Sequence, residues 1–153
     1  MTSGCYACSR TADADRMPRE WIAERDGWRV AHAIGTALPG WLVVLPLRHV
    51  LSLAEVTREE AAALGPLLAD VSRALERVTG CVKTYVMLLA EAEGFEHLHF
   101  HVVPRMGAWP EELQGVRVFD FMRRDPSEHV SPEAMDAISV RLQSALPPDD
   151  VTP

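Results

Sequence analysis

The chain has 153 residues, enough for one domain with a real core, and its 48% hydrophobic content fits a globular protein. A net charge of −7 argues against a general nucleic-acid coat, which needs a basic surface, while leaving room for a small anionic substrate in a locally positive pocket. No run approaches the roughly 18 apolar residues of a membrane span, and the N-terminus lacks the basic and apolar stretches of a secretory signal. Three cysteines, two of them in a Cys-x-x-Cys, suit a reducing, cytoplasmic setting better than a disulfide scaffold.

Cys5 and Cys8 open the chain; taken alone they read as half of a zinc site or as a redox pair. Residues 21–25 and 28–34 flank Asp26-Gly27, a hairpin signal because both turn residues tolerate positive φ. Pro39-Gly40 marks a further turn before an apolar strand at 42–45. Thr57 and Glu60 form a capping box, and Leu64, Leu67, Leu68, Val71, Leu75 and Val78 follow at helical spacing up to Gly80, a natural stop. Pro66 within that run predicts a kink or a restart. Strands are expected at 83–89 and 97–103, joined by a loop at 90–94. Residues 107–126 read as irregular, anchored by Trp109, Phe119 and Phe121. Ser131-Pro132 starts a last helix that runs to about Leu146, and 147–153 reads as a disordered tail. This order predicts an α+β domain over 1–146 with a mostly antiparallel sheet. Cys81 reads as a packing residue, and no role attaches to His32 or His129.

The densest chemistry lies at His97-Leu98-His99-Phe100-His101. Period-two alternation puts the three histidines on one face of a strand, with same-face neighbours about 6–7 Å apart. The outer pair, about 13 Å apart, could not bind one metal ion together, although an adjacent pair could. The plainer alternative is a polar, solvent-facing stripe.

Followed by Val102-Val103-Pro104-Arg105, this segment resembles the His-φ-His-φ-His-φ-φ signature of the histidine-triad (HIT) superfamily, where φ is apolar; residues 39–50 resemble that family's other recurrent strand and turn. The resemblance implies a five-stranded antiparallel sheet with one long helix and a C-terminal helix. It implies a nucleotide substrate, with His99 at the position of the family nucleophile and His101 at that of the residue contacting the scissile phosphate. An imidazole suits the task because it is nucleophilic near neutral pH and its phosphorus adduct is labile. The loop before the triad, with Glu93 and Gly94, would meet the phosphates. Glu93 stands where relatives commonly carry an amide, and Trp41 where many carry a histidine. The resemblance further implies a closed, structural zinc site of Cys5, Cys8, His49 and His97, and a homodimer formed through about 57–89. The activities to weigh are hydrolysis of dinucleoside polyphosphates or nucleoside phosphoramidates, nucleotidyl transfer or phosphorolysis, and a non-catalytic zinc-stabilised nucleotide-binding module.

Overall fold

The computed structural model describes residues 4–148, so most of the expected tail lies outside the described residues. Strands β1 (Ala23–Arg25), β2 (Trp28–His32), β3 (Leu42–Pro46), β4 (Lys83–Leu88) and β5 (Phe100–Arg105) form one antiparallel sheet in the order β1-β2-β3-β5-β4. Four helices accompany it: α1 (Tyr6–Ala12), α2 (Arg58–Thr79), α3 (Asp120–Arg123) and α4 (Pro132–Ala145). Short 3-10 turns at Glu111–Leu113 and Gly115–Phe119 lie within the stretch that reads as irregular.

The β1–β2 hairpin closes with a two-residue loop, since Arg25 pairs with Trp28. Asp26 (φ 47°) and Gly27 (φ 83°) both sit left-handed, as a tight hairpin requires. Helix α2 begins on the Thr57–Glu60 capping box and ends on Gly80 at φ 72°. It runs unbroken through Pro66, so the expected restart does not occur. Pro66 lies on the exposed side, as does Ala62, whose carbonyl loses its helical partner and can turn to water.

Strand pleat then divides the sheet into two faces. Trp28 and Val30 of β2, Leu42 and Val44 of β3 and Val102 of β5 pack under Leu67, Val71, Ala74 and Leu75 of α2 and Leu142 of α4. The opposite face carries Arg29, Ala31, Val43, Leu45 and His101, and it is on this face that the site is built.

Strand β5 starts at Phe100, three residues later than the alternation predicts. Pairing with β3 stops at Val44–Phe100. Ahead of it the Leu98 N–H donates to the Val50 carbonyl, 2.8 Å, and ties the segment to the turn after β3. His97 is thereby released from the common histidine face. Pro104 sits in β5 opposite Thr84, beyond the last β3 pair, so its missing N–H takes no bond from β3.

Candidate active site and metal centre

Helix α1, absent from the sequence reading, carries Cys8, with Cys5 as its N-cap. The turn after β3 carries His49, and the segment entering β5 carries His97. Their ligand atoms all lie within 4.8 Å of one another. Cys8 Sγ is 3.3 Å from His49 Nδ1 and 3.6 Å from His97 Nδ1, and Cys5 Sγ is 3.7 Å from His97 Nδ1. Sulfur and nitrogen ligands on a tetrahedral ion at ordinary bond lengths are about 3.5 Å apart. His97 Nε2 is 2.9 Å from the Pro46 carbonyl, which accepts its proton and leaves the Nδ1 lone pair facing the thiols. Burial also keeps the His97 pKa low, favouring the neutral, ligating ring. The four residues therefore fit one metal ion, with two thiolates and two imidazoles and no open position.

His99 and His101 diverge from that cluster. Their rings meet edge to face, centroids 4.7 Å apart, and both line a cavity of about 380 Å³. His99 Nδ1 is 2.8 Å from the His97 carbonyl, which can only accept, so the proton rests on Nδ1 and the Nε2 lone pair is free. His101 has the opposite arrangement. Trp41 Nε1–H donates to His101 Nδ1 at 3.0 Å, so this nitrogen is bare and the proton rests on Nε2. Burial first, then the neighbouring His99, push the His101 pKa down to about 4.

Trp41 is fully buried behind His101 and does not line the cavity. Its ring packs edge-on to Phe119 at 5.4 Å, and Phe119 packs edge-on to His101 at 5.4 Å. The pre-triad loop behaves differently from the resemblance. Glu91, Ala92 and Phe95 line the cavity, whereas Glu93 is exposed and neither it nor Gly94 reaches the wall. Gly94 takes φ 80° in the turn, and its carbonyl accepts from the Tyr6 N–H at 3.1 Å, binding the loop to α1.

Four cavity residues, Tyr6, Glu20, Arg29 and His32, belong to no functional motif in the sequence. Arg29, only 1% exposed, donates to the Glu20 carboxylate at 3.1 Å and its carbonyl at 2.7 Å, and Tyr6 donates to the other carboxylate oxygen at 2.6 Å. A lone arginine inside an apolar strand hints at a buried counter-ion; nothing local says which acid supplies it. His32 uses both ring nitrogens, Nδ1 with the Ala33 carbonyl at 2.7 Å and Nε2 accepting from the Gly40 N–H at 3.0 Å. It holds the turn that delivers Trp41. The remaining wall is apolar, from Ala31, Val43 and Leu45 of the sheet to Phe119 and Met122 opposite.

Residues 15–108 match the HIT domain family, which is most of the chain and includes all three histidines of the triad. The chain belongs to the HIT family. Its superfamily includes nucleotide hydrolases and transferases. Among solved structures, a zinc-bound histidine triad family protein from Mycobacterium smegmatis is 22% identical at TM-score 0.63, covering 92% of this chain and 96% of that one. A hypothetical histidine triad nucleotide-binding protein from Sulfolobus tokodaii is 16% identical at TM-score 0.67, covering 92% and 91%. A histidine triad protein from Bradyrhizobium japonicum is 26% identical at TM-score 0.60, covering 82% and 88%. No curated protein matches the sequence. Cys5 and Cys8 precede the matched residues, so the metal cluster rests on the geometry of this HIT protein itself.

Proposed function

We propose that this HIT protein is a nucleotidyl hydrolase, cleaving dinucleoside polyphosphates or nucleoside phosphoramidates at the α-phosphorus through a covalent nucleotidyl-His99 intermediate. The observation that carries this reading is the His99 tautomer: Nδ1–H is tied to a backbone carbonyl and Nε2 is left bare beside His101 in a cavity. Nε2 attacks phosphorus, the bond to the leaving group breaks with its electron pair, and water then displaces the nucleotide from His99. His101 Nε2–H donates to a phosphate oxygen, and the apolar wall suits a planar base. The Mycobacterium smegmatis protein binds zinc. Zinc held by Cys5, Cys8, His49 and His97 fits the same cluster here, as a closed structural centre that supplies rigidity and takes no part in the reaction. We place the protein in the cytoplasm, where its thiols stay reduced, as a single domain over 1–146 that pairs into a homodimer.

The test is a substrate panel of diadenosine tetraphosphate, adenosine phosphoramidates and sugar nucleotides, read by chromatography with and without added phosphate. Release of nucleoside monophosphate, lost in His99→Ala while nucleotide binding persists, supports the hydrolase. Product formed only when phosphate or a sugar phosphate is present points to a transferase. His99→Ala turnover within tenfold of the parent excludes the nucleophile assignment.

A further inference from the structure

The partner of His101 determines which leaving groups this site can release. Trp41 Nε1–H can only donate, and it donates to His101 Nδ1 at 3.0 Å. For His101 to become an imidazolium, Nδ1 would have to gain a proton, leaving two N–H groups facing each other at hydrogen-bond distance. Trp41 cannot step aside, because it is fully buried and packed on Phe119, which also packs on His101. The low His101 pKa, set by burial and by His99, agrees with a ring that stays neutral. A neutral His101 holds its one proton on Nε2. It can share that proton in a hydrogen bond to a phosphate oxygen, but giving it away would leave an imidazolate.

We infer that Trp41 makes His101 a fixed hydrogen-bond donor instead of a general acid, so that the site favours phosphoanhydrides, whose leaving group departs as an oxyanion, over phosphoramidates, whose amine must gain a proton to leave. In the favoured step, His99 Nε2 forms the bond to phosphorus, the P–O bond breaks, and its electron pair goes to a phosphate oxygen that needs no proton. In the disfavoured step the breaking P–N bond must be matched by a proton delivered to nitrogen. The other ionisable groups around the cavity are poorly placed to supply one. The Tyr6 hydroxyl is spent on Glu20, Glu20 is spent on Tyr6 and Arg29, and both nitrogens of His32 are taken. Glu91 stands exposed on the loop at the cavity edge, with no hydrogen bond to His101. The inference rests on the nucleotidyl-His99 reading and narrows it to one substrate class.

Two measurements test it. Nitrogen-15 spectra of the full chain at pH 7 should show His101 with a bare Nδ1 and a protonated Nε2, and Trp41→Phe should shift the Nδ1 resonance. The kcat/KM for diadenosine tetraphosphate should exceed that for an adenosine alkylphosphoramidate by about 100-fold or more, the lower end of what a general acid contributes. Trp41→Phe, which frees Nδ1, should narrow that ratio at least about tenfold; a purely structural role for Trp41 would lower both activities alike. A protonated Nδ1 at pH 7, or an alkylphosphoramidate cleaved within tenfold of the anhydride by the parent protein, overturns the inference. If neither substrate turns over, the hydrolase reading falls, and the His101 tautomer still decides the proton state on its own.

Discussion

At the scale of single residues, two histidines two positions apart in the chain are given opposite proton positions by what stands behind each. A backbone carbonyl behind His99 fixes a proton on Nδ1, and an indole N–H behind His101 removes it. The depressed His101 pKa also has a consequence for stability. Between about 4 and the ordinary 6.5 the ring is neutral in the fold and charged in the unfolded chain. The unfolded state then binds the extra proton, so this contribution is fully present above pH 6.5 and falls as pH drops toward 4. The slope is about 1.4 kcal/mol per pH unit. Denaturant titrations at pH 7 and 4.5 should show His101→Phe losing less stability between the two than the parent. Equal losses would mean the buried ring is not neutral in the fold. Glu60, held at a pKa of about 2 by Arg48 first and then by the Thr57 N–H, acts in a different window, its contribution fading only below about 4.5.

At the scale of elements, the metal cluster and the cavity share helix α1. Its Cys5 and Cys8 meet His49 and His97, while Tyr6 and Ala7 of the same short helix form cavity wall. Seven residues with no buried side chain cannot hold a helix by packing alone. Cys5→Ser with Cys8→Ser should therefore lose bound zinc, lower the melting temperature by at least about 2–4 °C, the shift that about 1 kcal/mol produces in a chain of this size, and speed amide exchange across α1. An unchanged melting curve with no metal in the parent protein would remove the zinc assignment. The turn before β3 is similarly exacting. Gly40 holds φ 82°, and a Cβ there would stand 3.3 Å from both Ile138 Cδ1 and Thr79 Cγ2 and 3.4 Å from Leu75 Cδ2. Gly40→Ala should cost about 2–4 kcal/mol from left-handed strain plus crowding. Calorimetry finding less than 1 kcal/mol would show that the turn relaxes easily. Because Trp41 follows directly, the same substitution should disturb the His101 resonance.

At the scale of the whole molecule, β4 is an edge strand carrying exposed Val86, flanked by exposed Val82 and Leu89. An apolar edge of this kind is normally covered, and a two-fold pairing through α2 and β4 would bury the same patch on each subunit. Sedimentation at micromolar concentration should give twice the 17.0 kDa chain mass. A species of the single chain mass throughout would exclude the dimer. No helix among the described residues is long and apolar enough to cross a membrane.

Much of this architecture is written in local signals. The Asp26-Gly27 turn, the Thr57–Glu60 box, the Gly80 stop and the Ser131-Pro132 start each act within four residues, so the sequence determines them unaided. The triad as a motif and the Cys5-x-x-Cys8 pair are equally local. What only the tertiary structure decided are the relations between distant segments. His97 leaves the strand because Val50 and Pro46, about fifty residues earlier, take its neighbour's N–H and its own ring proton. Helix α1 has no apolar periodicity to announce it; it is set by its Cys5 cap and by contacts to Gly94 and Glu20. Glu93, named by its place before the triad, turns outward, and the cavity takes Glu91 instead. Trp41 by sequence is a missing histidine; in the fold it is the donor that fixes the proton of His101. A hydrogen bond across 60 residues depends on where two strands meet, and strand pairing is a property of the packed sheet, not of either segment alone.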